Sequence, residues 1–254
     1  MELPRNAFKH AIYAGQQQIG LWSSLASHVT VEILAGAGYE WLLLDTEHSA
    51  NEVPMVLCQL QACMEHRVMP IVRPPVNDPV AIKRLLDAGV QTLLLPMVDT
   101  PEQAADAVAA TRYPPVGIRG FAAASRASRF GRVSDYHTRA HEELCVLVQI
   151  ESRLGMDNLE AICAVPGVDG VFIGPGDLSA AIGHLGDQNN EHIVTLIEGL
   201  IGRIVKAGNR AGILTPSEPL ARRYIAAGTV FTAVGSDTGL LARNAEALAK
   251  RFHE

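Results

Sequence analysis

Hydrophobic residues along this chain come in short runs closed off by turn formers, and between the runs lie longer stretches whose apolar positions recur at helical spacing. The short runs predict strands at 19–22, 41–45, 69–73, 92–96, 145–151, 170–174, 211–214 and 230–235. The longer stretches predict helices at 29–37, 52–66, 79–88, 101–111, 156–163, 191–207, 219–226 and 239–252. Strand cores such as WLLLD, TLLLP and CVLVQI are apolar on consecutive residues, as expected where helices cover one sheet face and a packed interior fills the other. Strands alternating with helices in this way imply a parallel sheet. Eight such units in 254 residues, 48% of them hydrophobic, match one (β/α)8 TIM barrel spanning residues 1–254 as a single domain.

Segment 113–143, which contains RYPPVGIRGFAAASRASRFG, breaks this rhythm because it is far too long to be a simple connection. It reads either as a surface excursion or subunit contact, or as a wall or lid of an active site.

Composition narrows the partners. A net charge of −6 leaves no basic surplus for a phosphate backbone, so nucleic acid is not expected. Residues 1–15 carry Arg5, Lys9 and His10 without a long apolar run, which is neither a signal peptide nor a membrane span and points to the cytoplasm. Cys58, Cys63, Cys145 and Cys163 form no CxxC pair and sit in apolar segments, as reduced core thiols do.

In a barrel of this kind the C-terminal strand ends share one mouth, so polar residues there are the first candidates for chemistry. The second strand closes on Asp45, Thr46, Glu47 and His48, the third on Arg73, and the fifth on Gln149 and Glu151. The sixth runs into Gly174, Pro175, Gly176 and Asp177. Glu151 and Asp177, at adjacent strand ends, suit a divalent cation that keeps positions open for a bidentate 2-oxo acid. Taken singly, each could instead cap a helix or pair with an arginine. Lys9, Lys83, Lys206 and Lys250 all miss the strand ends, which disfavours a Schiff base and leaves a Lewis-acid cation as the alternative route to an enolate.

His48 is the candidate base, with a loop or capping histidine as the competing reading. Arg73, aimed by two following prolines, would stabilise enolate charge, or else form a salt bridge to Asp45 or Glu47. The GPGDLS turn offers small residues and helix-start amides around Gly176 and Asp177 that suit a carboxylate. VGSDTG at 234–239 either binds a carboxylate or phosphate, or serves as a cap and turn. Asp237 counts against a dianion there.

LLLDTEHSAN, PIVRPP, IKRLLDAG, TLLLPMV, RYPPVGIRG, LVQIES and GVFIGPGDLS occur in this order along nearly the whole chain. Together they resemble the class II pyruvate-dependent 4-hydroxy-2-oxoheptanedioate / 2-dehydro-3-deoxyglucarate aldolase family. The resemblance implies a barrel of the phosphoenolpyruvate/pyruvate type with His48 as base, Arg73 on the enolate, and Glu151 and Asp177 holding magnesium, manganese, cobalt or zinc. It also implies that Gln149 and the backbone at Gly176 and Asp177 contact the pyruvate part. Asp87, in the L-L-D-x-G motif, would raise the basicity of His48, across a subunit boundary if need be. The implied assembly is a homohexamer, a trimer of dimers, with the last helix exchanged between partners. Thr46 stands where the family usually has glycine, and Gly176 where it has alanine or serine.

The expected reaction is aldol cleavage of a 4-hydroxy-2-oxo acid to pyruvate and an aldehyde. LVQIES, GHLG and VGSD resemble the sugar-acid branch of that family, which implies 2-dehydro-3-deoxyglucarate, giving tartronate semialdehyde, with 4-hydroxy-2-oxoheptanedioate, giving succinate semialdehyde, as the alternative. An acyl-CoA lyase and a non-catalytic keto-acid-binding barrel are the more distant readings.

Overall fold

The computed structural model describes residues 1–253. Eight parallel strands close into a barrel in sequence order: β1 (Gln18–Ser23), β2 (Trp41–Asp45), β3 (Met69–Arg73), β4 (Thr92–Leu95), β5 (Cys145–Ile150), β6 (Gly170–Ile173), β7 (Ala211–Leu214) and β8 (Thr229–Ser236). Pairing of β8 with β1, with Gln18 opposite Phe231, leaves no sheet edge open. The helices are α1 (Ala7–Tyr13), α2 (His28–Ala35), α3 (Val53–Ala62), α4 (Pro79–Asp87), α5 (Pro101–Ala110), α6 (Tyr136–Glu143), α7 (Arg153–Asp157), α8 (Leu159–Cys163), α9 (Pro175–Ala181), α10 (Glu191–Lys206), α11 (Glu218–Ala227) and α12 (Asp237–His253).

Every strand lies where the apolar runs predict it, with ends moved by a residue or two. The helices agree less closely. The stretch expected as one helix over 156–163 is two short helices meeting at Asn158, while α1, α6 and α9 were not anticipated. None of the three is longer than eight residues, too few turns to show a clear apolar stripe.

Strand side chains alternate between two apolar layers. One, with Leu42, Leu44, Val72, Val146, Val148 and Ile173, is buried under the helices. The other fills the barrel with Trp22, Trp41, Leu43, Ile71, Leu94, Leu147, Phe172 and Phe231. Helix α1 plugs the bottom. Its Phe8 ring meets Trp41 edge-on at 6.0 Å and Phe231 at 5.8 Å, while Tyr13 donates from its hydroxyl to Asp169 at 2.7 Å. The lower end of the barrel is thus closed by α1, which leaves the upper end open for chemistry.

Segment 113–143 packs on the outside of the barrel, and its Ile118 shares a cleft with Glu47, Pro96 and Met97. It is fastened to the lower ends of α4 and α5: the Ile118 amide donates to Ala109 O at 2.9 Å, and Arg126 donates to Ala88 O at 2.8 Å. Arg119, almost fully buried, lies 4.6 Å from the ring of Tyr113 and 5.7 Å from that of Tyr136, and donates to Asp87 at 2.8 Å. The surface-excursion reading describes its place in the single chain. The cysteines are all free thiols, three of them buried, as expected. Among the described residues, no helix is long and apolar enough to cross a membrane.

Candidate active site

The inward parity that buries Trp41 and Leu43 on β2 brings Asp45 to the mouth at its last residue, and Glu47 follows in the same phase. The same count carries Ile71 to Arg73 on β3, and Cys145 and Leu147 to Gln149 and Glu151 on β5. Residues far apart in sequence therefore meet because they are successive inward positions beyond the aromatic plug.

Arg73 is 6% exposed and holds Asp45 with both arms of its fork, Nε to Oδ1 at 2.9 Å and Nη2 to Oδ2 at 2.7 Å. Its Nη1 lies 2.9 Å from Glu47 Oε2 but off the N–H direction, an ion pair rather than a hydrogen bond. Trp22 completes the cradle: its ring packs 5.0 Å from the guanidinium and its Nε1 donates to Asp45 at 3.2 Å. Burial opposes ionisation of Asp45, but the hydrogen bonds and charge of Arg73 outweigh it and hold the carboxyl below its ordinary range. The salt bridge weighed as an alternative role for Arg73 is therefore real, and Arg73 still faces the mouth. Thr46, where glycine is usual in the resembling family, donates from its hydroxyl to Arg73 O at 2.6 Å and ties the ends of β2 and β3 together.

Glu151 is 4% exposed. Its Oε1 accepts from Gln149 Nε2 at 2.8 Å and its Oε2 from the Met97 amide at 3.1 Å. Burial, followed by the repulsion of Glu47 and Asp177, overcomes the Met97 bond and the Arg73 charge and pushes this carboxyl up to about 7. Gly174, the next inward position after Phe172, is what admits Glu151. A side-chain carbon at 174 would stand 2.7 Å from Glu151 Cγ and 3.0 Å from its Cδ, and would overlap Oε1 outright. Asp177 lies three residues further on, exposed in the first turn of α9. Gly176 is exposed too, with only Gln188 Oε1, at 3.7 Å, near the place a side chain would take.

These donors fit a divalent cation. Asp45, Glu47, Glu151 and Asp177 are set against the one guanidinium of Arg73, and after burial it is the charge of Glu47 and Asp177 that raises Glu151. Gln149 Oε1 is buried with no hydrogen-bond partner and is free to meet a ligand. Among the described residues, no group of three or more His, Cys, Asp or Glu side chains is placed to hold an ion.

His48 is less constrained than these groups. Its side chain is 65% exposed, and Nε2 lies 3.8 Å from Glu47 Oε2. Its loop is held from below by Ser49, whose hydroxyl donates to Asp45 O at 2.5 Å, and by Asn51, which donates to Gln59 at 2.9 Å. Neither member of that buried amide pair was singled out from the sequence. Each also leaves one polar atom unpartnered, so the pair has room for a further hydrogen bond. Asp87 is not brought to His48 within the chain: it ends α4, which descends from the mouth, and is paired with Arg119 at the opposite end.

The turn at 234–239 is a cap, not an open site. Asp237 is buried and receives hydrogen bonds from Ser23, Ser24, Leu25 and Thr238.

Comparison with known proteins agrees with this architecture. A protein from Deinococcus radiodurans named hydroxypyruvate/pyruvate aldolase is 58% identical over 98% of this chain and 90% of its own length. One from Salmonella paratyphi C named 4-hydroxy-2-oxo-heptane-1,7-dioate aldolase is 55% identical over 98% of this chain and 95% of its own. The crystal structure of an HpcH/HpaI aldolase/citrate lyase family protein from Burkholderia cenocepacia superposes with a TM-score of 0.94 at 38% identity, covering 98% of this chain and 100% of that one. The HpcH/HpaI aldolase/citrate lyase profile itself matches residues 18–244, from the first barrel strand into the last helix. With that span matched and the strand-end residues gathered in one mouth, the chain belongs to the HpcH/HpaI aldolase/citrate lyase family and is an aldolase, a carbon–carbon lyase.

Proposed function

We propose that this chain cleaves a 4-hydroxy-2-oxo acid to pyruvate and an aldehyde with the help of a divalent cation, and that 4-hydroxy-2-oxoheptane-1,7-dioate, yielding succinate semialdehyde, is the first substrate to test. The observation that carries this reading is the burial of Glu151 against Gly174, beside Asp177 and across from Arg73. The names of the relatives favour the heptanedioate over the sugar acid that short motifs suggested.

Glu151 and Asp177 would hold magnesium, manganese, cobalt or zinc, which when bound supplies Lewis-acid polarisation of the 2-oxo acid. Gln149 and the free amides at Gly176 and Asp177 orient the pyruvate part. His48, exposed at the rim, takes the proton from the C4 hydroxyl as the C3–C4 bond breaks. Arg73, already fixed by Asp45 and Trp22, meets the charge that develops on the enolate oxygen without having to reorganise. Asp87 reaches His48 only from a second copy. The same assembly would cover the apolar side chains of α12, where Leu241 and Phe252 are exposed in the single chain.

The test is pyruvate release from the heptanedioate and from 2-dehydro-3-deoxyglucarate, before and after exhaustive chelation and with manganese restored. The expected result is release that needs the metal and is faster from the heptanedioate. Undiminished release after chelation overturns the metal, and faster release from the sugar acid overturns the substrate order. No release from either substrate overturns the cleavage.

A further inference from the structure

Stability alone gives little reason for the pair that Asp87 forms with Arg119. Asp87 is the last residue of α4, the end of a helix at which a carboxylate is electrostatically out of place. The Arg119 side chain is fully buried, where an apolar residue filling the same space is often as good or better for the fold. Yet the surroundings commit this guanidinium to one carboxylate. Its Nη2 donates to Asp87 Oδ1 at 2.8 Å, its Nη1 reaches the Tyr136 hydroxyl only at 3.4 Å, and its Nε has no partner. The frame around it is stiff: the Arg119 amide donates to Arg112 O at 2.8 Å, and the His137 ring packs 5.2 Å from Tyr113 and 5.5 Å from Tyr136, the two rings beside the guanidinium.

One oxygen of Asp87 is thereby fixed and the other is left over. Among the described residues no hydrogen bond reaches its Oδ2, and the side chain is 28% exposed. Val116, Ile118 and Phe121, which bracket Arg119 along the segment, are 80%, 63% and 69% exposed, an apolar face of the kind a second copy covers.

We propose that Arg119 is a positioning residue: it holds Asp87 by Oδ1 so that Oδ2 is presented, in one orientation, to His48 of a second copy. The inference rests on the reading that Asp87 meets His48 across a boundary between copies. A group that orients a general base works only while it is itself oriented, and a misplacement of about 1 Å can cost roughly a hundredfold in rate. Arg119 therefore acts on turnover through Asp87 and leaves ground-state binding alone.

The test is a double-mutant cycle. Both kcat and KM for pyruvate release from 4-hydroxy-2-oxoheptane-1,7-dioate, at saturating manganese, are measured for the native protein, Asp87→Asn, Arg119→Met and the double variant, with assembly checked by light scattering. Arg119→Met is expected to lower kcat by about 10–100-fold and to leave KM within about threefold. The double variant is expected to match Asp87→Asn within about twofold, because the two residues act as one unit. A native kcat in Arg119→Met, a loss confined to KM, or losses that multiply in the double variant overturns the proposal. Should Arg119→Met not assemble, Arg119→Lys takes its place in the cycle, since its ammonium keeps the charge and lacks the planar fork. A native kcat or multiplied losses there are equally fatal. Failure of the Asp87 reading would appear differently, as a native kcat in Asp87→Asn, and failure of the aldol reading as no turnover by the native protein; either takes this inference with it.

Discussion

Replacing Gly174 with alanine probes the site through steric geometry alone. The added methyl would stand 2.7 Å from Glu151 Cγ and 3.0 Å from Cδ, against the ~3.5–4.0 Å at which carbons rest, an overlap of about 1 Å at the closer atom. The backbone is poorly able to yield, because the Gly174 amide donates to Ile150 O at 3.2 Å and Leu178 donates back to Gly174 O at 3.0 Å. Glu151 must swing instead, giving up its bonds to Gln149 and Met97. Overpacking of this kind costs about 1–3 kcal/mol, and at roughly 2–4 °C per kcal/mol for a chain of this size Tm should fall by about 2–12 °C. Loss of ligand orientation should weaken metal affinity by about 10–100-fold. Both are read from a melting curve and from a manganese titration of pyruvate release, in which activity is expected to recover in part at saturating metal. A variant with native Tm and native manganese dependence would refute the placement of Glu151 against Gly174 and its role as a ligand.

Asp45→Asn strips the buried Arg73 fork of its charged partner and should cost about 3–5 kcal/mol in a urea melt, with a loss of kcat/KM. Because Asp45 titrates below its unfolded value of 3.8 in the folded chain, its contribution is complete above that pH and is lost as pH falls further; the native protein should show this extra acid sensitivity and Asp45→Asn should not. His48→Asn is expected to lower kcat by about 10²–10⁴ and leave manganese affinity within twofold, about the scatter of the titration, since the residue donates a proton path and no ligand; a native kcat would remove it from the chemistry. Asp87→Asn should shift the pH limb of kcat/KM only if Asp87 faces His48 across a boundary between copies. An unshifted limb in an assembled, active variant would leave Asp87 as the partner of Arg119 alone.

Much of the barrel was legible along the chain because each strand announces itself locally, as in the unbroken run of Trp41 to Leu44. Helix α1 was not, since only Phe8 and Ile12 of its seven residues are buried, and what they bury against lies on strands far along the chain. The mouth was legible in part for a geometric reason: Asp45, Arg73, Gln149 and Glu151 are inward positions at strand ends, and a two-residue period can be counted from sequence. Gly174 belongs to the same count, but its need to be glycine follows from where the Glu151 side chain goes, which no local pattern carries.

The sequence by itself therefore determined the eightfold alternation, the parallel strands it implies and the identity of the polar strand ends, because these depend on the burial preferences of neighbouring residues. Only the tertiary structure decided which partners those groups have. Arg73 is committed to Asp45 from 28 residues away, Asp87 to Arg119 from 32 away at the wrong end of the barrel for its own His48, and Asp237 to the turn after β1 from more than two hundred. Such pairs are fixed by barrel closure and helix direction, which bring the ends of distant segments together and are encoded in no single stretch of chain.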